Sequence, residues 1–337
     1  MASNEQCPVL VTGGAGYIGS HAVWALHDAG WPVVVLDNLS TGFRFALPGD
    51  VPLYEGDIAN GDLVARIFGD HEIAAIMHFA GSIVVPESVA DPLKYYLNNT
   101  AKSRSLLESA INAGLRHFLF SSTAAVYGVT DRTPIDEDAP KQPINPYGWS
   151  KLMTEQMLAD ASAAHRFNYC ALRYFNVAGA DPYARTGQAT IGATHLIKVA
   201  CEAASGMRDH VDVFGTDFDT PDGTGIRDYI HVSDLAAAHV LALVALIAEP
   251  GQSLTMNCGY GRGFSVLEVL DAVDRLTNAT IDRRMAPRRA GDPARLVADP
   301  QRIRATLPWT PQYADLETIV THALAWERSL HDRRGRD

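Results

Sequence analysis

PVLVTGGAGYIGSH, residues 8–21, runs from a short β-branched segment into a helical one through glycines at 13, 14, 16 and 19. Gly14, Gly16 and Gly19 satisfy G-x-G-x-x-G, and Gly13, Gly16 and Gly19 satisfy G-x-x-G-x-x-G. Glycine permits the tight strand-to-helix turn, lets backbone approach a pyrophosphate and allows close helix-to-strand packing, while the helix N-terminus offers free N–H donors. Such a string alone is also compatible with a simple glycine turn. Its context points further, because WPVVVLDN, residues 31–38, sets Asp37 at the end of a second strand about 20 residues on. There a carboxylate accepts hydrogen bonds from adenosine ribose hydroxyls and repels a 2′-phosphate, so the expected cofactor is NAD rather than NADP.

Outward from this turn, β-branched runs alternate with amphipathic segments. Strands are expected at 8–12, 32–36, 52–55, 74–78, 117–121 and 169–174, and helices at 16–29, 62–68, 92–113 and 146–164, with Gly30, Gly69 and Gly114 as stops. The expected fold is α/β: a doubly wound parallel (Rossmann) sheet over 1–176, then a smaller α/β substrate-binding lobe over 177–337. The apolar segment at about 228–248 is expected to pack back on the first unit.

The 337 residues carry 28 basic and 39 acidic side chains, a formal charge of −11, which disfavours nucleic acid and anionic membranes as partners. The longest apolar run, VLALVALIA at 240–248, is about half the ~20 residues of a membrane span. The N-terminus lacks the basic, apolar character of a secretion leader. Cys7, Cys170, Cys201 and Cys258 are scattered without C-x-x-C spacing, as free thiols in a reducing compartment would be. A cytoplasmic protein is expected. No H-E-x-x-H or tight histidine cluster occurs, so no metal is expected, and His78 and His231 read as structural.

Downstream, Tyr147 and Lys151 form Y-x-x-x-K at the start of a helix, which puts phenol and ammonium on one face. A free tyrosine titrates near 10 and is a poor base at neutral pH, about 3 units below. Positive charge from Lys151 and an oxidised nicotinamide would lower that value. FLFSSTAAVYG, residues 118–128, sets Ser121, Ser122 and Thr123 at the carboxyl edge of the sheet, where ligands of such folds bind. A hydroxyl, a phenol and an ammonium around a nicotinamide make a carbinol-to-carbonyl redox site.

These segments, with LDNLSTG (36–42), Gly56-Asp57-Ile58, HFAG (78–81), LRYFNVAGA (172–180), GTGIRDYIHVSDLA (223–236) and RRAGD (288–292), resemble the extended short-chain dehydrogenase/reductase family, within it the UDP-hexose 4-epimerases. The likeness runs from about Val9 to Trp309. It implies transient oxidation of the sugar C4 by retained NAD, rotation of the 4-ketose and return of hydride to the other face, interconverting UDP-glucose and UDP-galactose. Tyr147 would take the 4-hydroxyl proton with Thr123 bridging, and Lys151 would hold the nicotinamide ribose. NAD contacts are implied for Gly13, Gly16, Tyr17, Ile18, Gly19, Asp37, Asn38, Asp57, Ile58, Phe79, Ala80, Gly81, Asn98, Ser121, Tyr147, Lys151 and Phe175. UDP-sugar contacts are implied for Thr123, Tyr147, Asn176, His195, Leu196, Phe214, Arg227, Tyr229, Arg289 and Asp292, with the arginines on the diphosphate and Phe214 against uracil. A homodimer through the helices 92–113 and 146–164 is implied as well.

Two departures bear on affinity and specificity. Ile83 replaces a lysine that assists cofactor binding in many relatives, and Leu296 stands where a bulky tyrosine excludes N-acetylated sugars in some. UDP-xylose, UDP-N-acetylglucosamine and UDP-glucuronate therefore stay open as alternative substrates. Dehydratases and decarboxylases of the superfamily carry acid–base residues after the threonine; Ala124 and Ala125 cannot transfer protons and weigh against both. A non-catalytic NAD-binding regulator would have no use for Thr123, Tyr147 and Lys151.

Overall fold

The computed structural model describes residues 6–130, 132–289 and 291–334. Residues 1–5, on which the leader reading partly rests, Ala290 of RRAGD and the last three residues of the second lobe lie outside them.

The first half holds strands β1 (Val9–Thr12), β2 (Val33–Asp37), β3 (Leu53–Glu55), β4 (Ala75–His78), β5 (His117–Thr123) and β6 (Asn168–Tyr174). Between them run helices α1 (Tyr17–Asp28), α2 (Gly61–His71), α3 (Val85–Ala90), α4 (Pro92–Tyr95), α5 (Lys102–Asn112) and α6 (Pro146–Ala164). The second half adds β7 (Asn176–Ala178), α7 (Leu196–Ala204), β8 (Val211–Phe214), β9 (Ile226–Arg227), β10 (Tyr229–His231), α8 (Val232–Ala248) and β11 (Leu254–Cys258). It closes with β12 (Phe264–Ser265), α9 (Val266–Thr277), β13 (Arg283–Ala286), β14 (Arg295–Leu296), α10 (Gln301–Thr306) and α11 (Leu316–Arg334).

The main sheet is parallel with order β11-β6-β5-β4-β1-β2-β3. Its inner strands, such as β1 and β2, are mainly apolar runs because both faces are covered. Val9, Val11, Val33 and Val35 enter one core with residues of α1, α8 and α9, whereas the alternating Leu10, Val34 and Leu36 enter another with α2, α5 and α6. The sequence pattern yields six of the seven strands. The seventh, β11, comes from the second half and pairs with β6, after α8 packs against α1, β5 and β6. Among the described residues no helix is long and apolar enough to cross a membrane.

Two helices differ from their sequence reading. Gly69 does not stop α2, which continues to His71 and ends at Glu72 with φ 52°; the packing of Ile67 and Phe68 carries the helix through. The expected single helix over 92–113 is interrupted by a π-helical turn at Tyr96–Ala101. Around that turn the Asn99 side chain bonds both backbone groups of Ser82, accepting from N at 2.7 Å and donating to O at 2.9 Å.

Smaller sheets order the second half: β7 pairs with β10, β8 with β13, and β9 lies between β12 and β14.

Candidate active site

The sheet order reverses between β1 and β4, so a crevice opens beyond their carboxyl ends. The glycine loop fills that place with no room to spare. A Cβ on Gly13, at φ 70°, would stand 2.5 Å from the Ala80 nitrogen, and one on Gly19 would stand 2.1 Å from the Gly13 oxygen. Gly16 differs: a Cβ there meets nothing nearer than the Gly13 oxygen at 3.3 Å. The protein's own packing therefore asks less of this position than of Gly13 or Gly19, only that the Gly13 oxygen give by a few tenths of an ångström, and close approach of a ligand phosphate is a further reason for glycine.

Asp37 lies at the mouth of the loop, its carboxylate accepting the Ala15 N–H at 2.9 Å and the Leu39 N–H at 2.8 Å. Burial pushes its carboxyl up, and these two bonds pull it back. Asn38 is exposed and accepts from Ser40 N–H at 3.1 Å. Asp57 pairs with Lys102 at 2.6 Å. Phe79 packs its ring 4.9 Å from that of His239, and the Asn98 amide donates to Ser82 Oγ at 3.0 Å. Two expected contact residues are committed elsewhere through their side chains: Ile58 lies in the core with α2 and α5, and the Tyr17 hydroxyl donates to the Gly179 carbonyl at 2.7 Å. The glycine cradle and the partly satisfied Asp37 carboxylate fit a dinucleotide.

Next along the sheet edge, β5 delivers Ser121, Ser122 and Thr123, and α6 delivers Tyr147 and Lys151. The helix starts here because Asn145 caps it, accepting from Gly148 N–H at 2.9 Å, with Pro146 in its first turn. Lys151 is 3% exposed; its Nζ donates to the Ser121 carbonyl at 2.9 Å and lies 4.9 Å from the Phe120 ring centroid. Burial pulls its ammonium down to about 8, and Glu155 pushes it back up. Tyr147 hydrogen-bonds Thr123. In the protein alone the phenol is raised, since burial outweighs the Thr123 bond and the Lys151 ammonium bonds the Ser121 carbonyl; the lowering expected from the sequence also counts the charge of an oxidised nicotinamide. Thr123 Oγ1 also accepts the Ala125 N–H at 3.1 Å, closing a short 3₁₀ turn at Ala124–Val126.

The second half brings a polar group toward this edge. Asn176 and Tyr229 are register partners, as are Arg227 and Leu296. Arg227 is held by Asp292 and by the Ile226 carbonyl, so its guanidinium is already half engaged. The Arg289 guanidinium lies 3.9 Å over the Phe214 ring and covers one face of it. His195 caps α7 ahead of Leu196, Nδ1 2.8 Å from the Gln188 amide, and burial lowers its pKa. Leu296 and Phe175 both pack against the small cluster of Ala124, Val126, Tyr127, Ile135 and Ala139.

A model of the NAD dependent epimerase/dehydratase family matches residues 9–259. The chain belongs to that family. It is 61% identical over 327 residues to a UDP-glucose 4-epimerase of Azospirillum brasilense, covering 97% of this chain and 94% of that one. Of solved structures, UDP-glucose 4-epimerase from Brucella ovis in complex with NAD is similar at TM-score 0.92 and 45% identity, covering 95% and 98% of the two chains. The Bifidobacterium longum UDP-glucose 4-epimerase in complex with NAD+ and UDP is similar at TM-score 0.90 and 36% identity, covering 96% and 98%.

Within this epimerase/dehydratase chain, sequence reasoning missed three buried groups near the site. Asn99 donates to Ser150 Oγ at 3.0 Å and so ties the π turn to α6; its signal was a polar Asn-Asn-Thr run inside a helical pattern. Glu155 and Arg173 form a buried pair behind Lys151; the four-residue step from Lys151 to Glu155 was the available hint. His78 and His231 are structural: the former bonds Thr12 and Ser103 at 2.7 and 2.8 Å, the latter Ser233 N–H and His322, both at 3.0 Å. All four cysteines are free.

Proposed function

We propose that the protein interconverts UDP-glucose and UDP-galactose by inverting C4 of the sugar. The observation that carries this reading is the meeting of Thr123, Tyr147 and Lys151 at the end of β5, with alanines where elimination would need an acid and a base. NAD, when bound, supplies a cationic ring that accepts the C4 hydride and gives it back. The glycine loop and Asp37 would hold its pyrophosphate and ribose, and Lys151 its second ribose. Tyr147 holds the proton of the sugar O4, with Thr123 in reach to relay it, and returns it after the ketone has turned. With Ala124 and Ala125 beyond Thr123, nothing at that turn removes a proton from C5, so the ketose is not diverted to dehydration.

Arg227 and Arg289 are assigned to the diphosphate, Phe214 to the uracil, and Asn176, His195, Leu196, Tyr229 and Asp292 to the remaining UDP-sugar contacts. Arg227 must exchange part of its hold on Asp292 to meet a phosphate. A homodimer is supported by exposed apolar residues at helical spacing on α4, the π turn and α6: Leu93 (76% exposed), Leu97 (55%), Trp149 (42%) and Met153 (41%). Four unpaired cysteines support a cytoplasmic setting.

The test uses UDP-galactose tritiated at C4, incubated with purified protein without added NAD, beside UDP-xylose, UDP-N-acetylglucosamine and UDP-glucuronate. UDP-glucose should form with the label retained. Label in water, or conversion only with stoichiometric NAD and accumulating NADH, refutes the reading.

A further inference from the structure

Tyr147, Lys151 and Glu155 follow one another at four-residue steps on α6 and share a face. The first two belong to the chemistry above; Glu155 does not touch it. Glu155 is 7% exposed and Arg173, on β6, 3% exposed. They are joined by two parallel bonds, Nε to Oε1 at 2.9 Å and Nη2 to Oε2 at 2.6 Å. Ser122 Oγ donates to the same Oε1. Ser122 stands between Thr123 and Ser121, whose carbonyl receives Lys151. On the far side Arg173 is fixed by donating to the Tyr127 hydroxyl at 3.0 Å, and that hydroxyl donates to Asn257 Oδ1 at 2.6 Å.

A buried ion pair gives little net stability, because desolvation of both partners offsets their attraction. Stability alone therefore does not account for it. Its placement does: the carboxylate lies one turn along α6 from Lys151 and holds Ser122 of β5, next to the Ser121 that receives Lys151, while the guanidinium is held back against Tyr127. We infer that Glu155, clamped by Arg173 and Ser122, is a positioning residue that keeps the Lys151 ammonium charged and directed at the Ser121 carbonyl. Its consequence for turnover rests on the C4 reading above; the electrostatic part does not.

The other groups around Lys151 cannot do this. His78 from β4 has both ring nitrogens engaged, and burial drops its pKa to about 3, so it is neutral. β5 offers Phe120 and hydroxyls, β6 offers Tyr174 and Arg173, and Tyr95 from α4 stands beside Tyr147 with its ring centroid 6.4 Å away. Glu87 behind Tyr95 is paired with Lys94. Of the groups named, Glu155 is the carboxylate that raises Lys151.

Lys94, Lys102, Lys141, Lys151 and Lys198 are the only lysines in the chain, so each can be followed by carbon-13 NMR of protein labelled at lysine Cε. Lys151 is assigned by its loss in Lys151→Arg, and its titration is compared in the parent, in Glu155→Gln and in the pair Glu155→Gln with Arg173→Met, all as purified. At the distance of one helical turn and an interior dielectric near 20, the Lys151 midpoint should fall by about two pH units in Glu155→Gln and less in the pair. The alkaline limb of kcat should move with it while KM stays. If Glu155→Gln does not fold around the bared Arg173, the paired variant decides. An unmoved midpoint in the folded variants overturns the inference. A moved midpoint in a protein that does not epimerise UDP-galactose overturns the functional reading instead.

Discussion

Replacing Lys151 by methionine should abolish turnover and, at neutral pH, make the ligand-free fold more stable. The ammonium falls from its ordinary 10.5 to about 8 because it is buried. At about 1.4 kcal/mol per unit, holding the charge inside costs the folded state roughly 3 kcal/mol at pH 7. Opposing this are the bond to the Ser121 carbonyl, worth about 1 kcal/mol, and the contact with the Phe120 ring, worth about 1 kcal/mol. Methionine keeps the apolar stem, so the expected net gain is about 1–2 kcal/mol, or roughly 1–3 °C in Tm for a chain of this length. The pH dependence fixes the cause. The unfolded lysine holds its proton more tightly, so below pH 8 the penalty is fully present, and between 8 and 10.5 the parent gains stability as its folded state sheds the proton first. The advantage of the variant should therefore be greatest below pH 8 and shrink toward 10.5. Thermal unfolding of nucleotide-free protein across that range reads it. A variant less stable at neutral pH, or a gap that ignores pH, refutes the reasoning.

Gly16→Ala should lose less stability than Gly19→Ala yet copurify with little NAD, because its Cβ meets only the Gly13 oxygen at 3.3 Å, whereas Gly19→Ala, at 2.1 Å from that oxygen, should lose about 1–3 kcal/mol; melting curves and nucleotide content separate the two. Tyr147→Phe should lower kcat by about 10²–10⁴-fold with Tm kept, measured as UDP-galactose turnover. Leu296→Tyr, against the same small cluster as Phe175, should depress kcat/KM for UDP-N-acetylglucosamine more than for UDP-galactose; equal losses would show that this side chain does not border the sugar.

The inner first-half strands were legible because burial on both faces makes them mainly apolar runs, as at VVVLD over β2, whereas β3, at the sheet edge, is short and partly exposed. Helix α6 was legible to the residue because Asn145 and Pro146 announce its start. The π turn was not, since it goes with the fit of the Asn99 side chain to the backbone of Ser82 and the hydroxyl of Ser150, groups 17 and 51 residues away. The helix stop at Gly69 was misjudged for a similar reason: glycine weakens a helix by about 1 kcal/mol, and the burial of Ile67 and Phe68 exceeds that. In the site, the residue types were plain from motif spacing, while their engagements were not. Arg227 held by Asp292, 65 residues away, and Arg289 laid over Phe214 are facts of folding.

What the sequence determined by itself was local: the glycine turn at 13–19, the alternation of strand and crossover, and Tyr147 and Lys151 on one helical face. These follow from backbone stereochemistry and the helical repeat, which act over a few residues. Only the tertiary structure decided that β11 completes the sheet, that Glu155 meets Arg173, and that the phenol of Tyr147 is raised while the amine of Lys151 is lowered. Burial and the neighbours it brings set those outcomes, and both are properties of the packed chain.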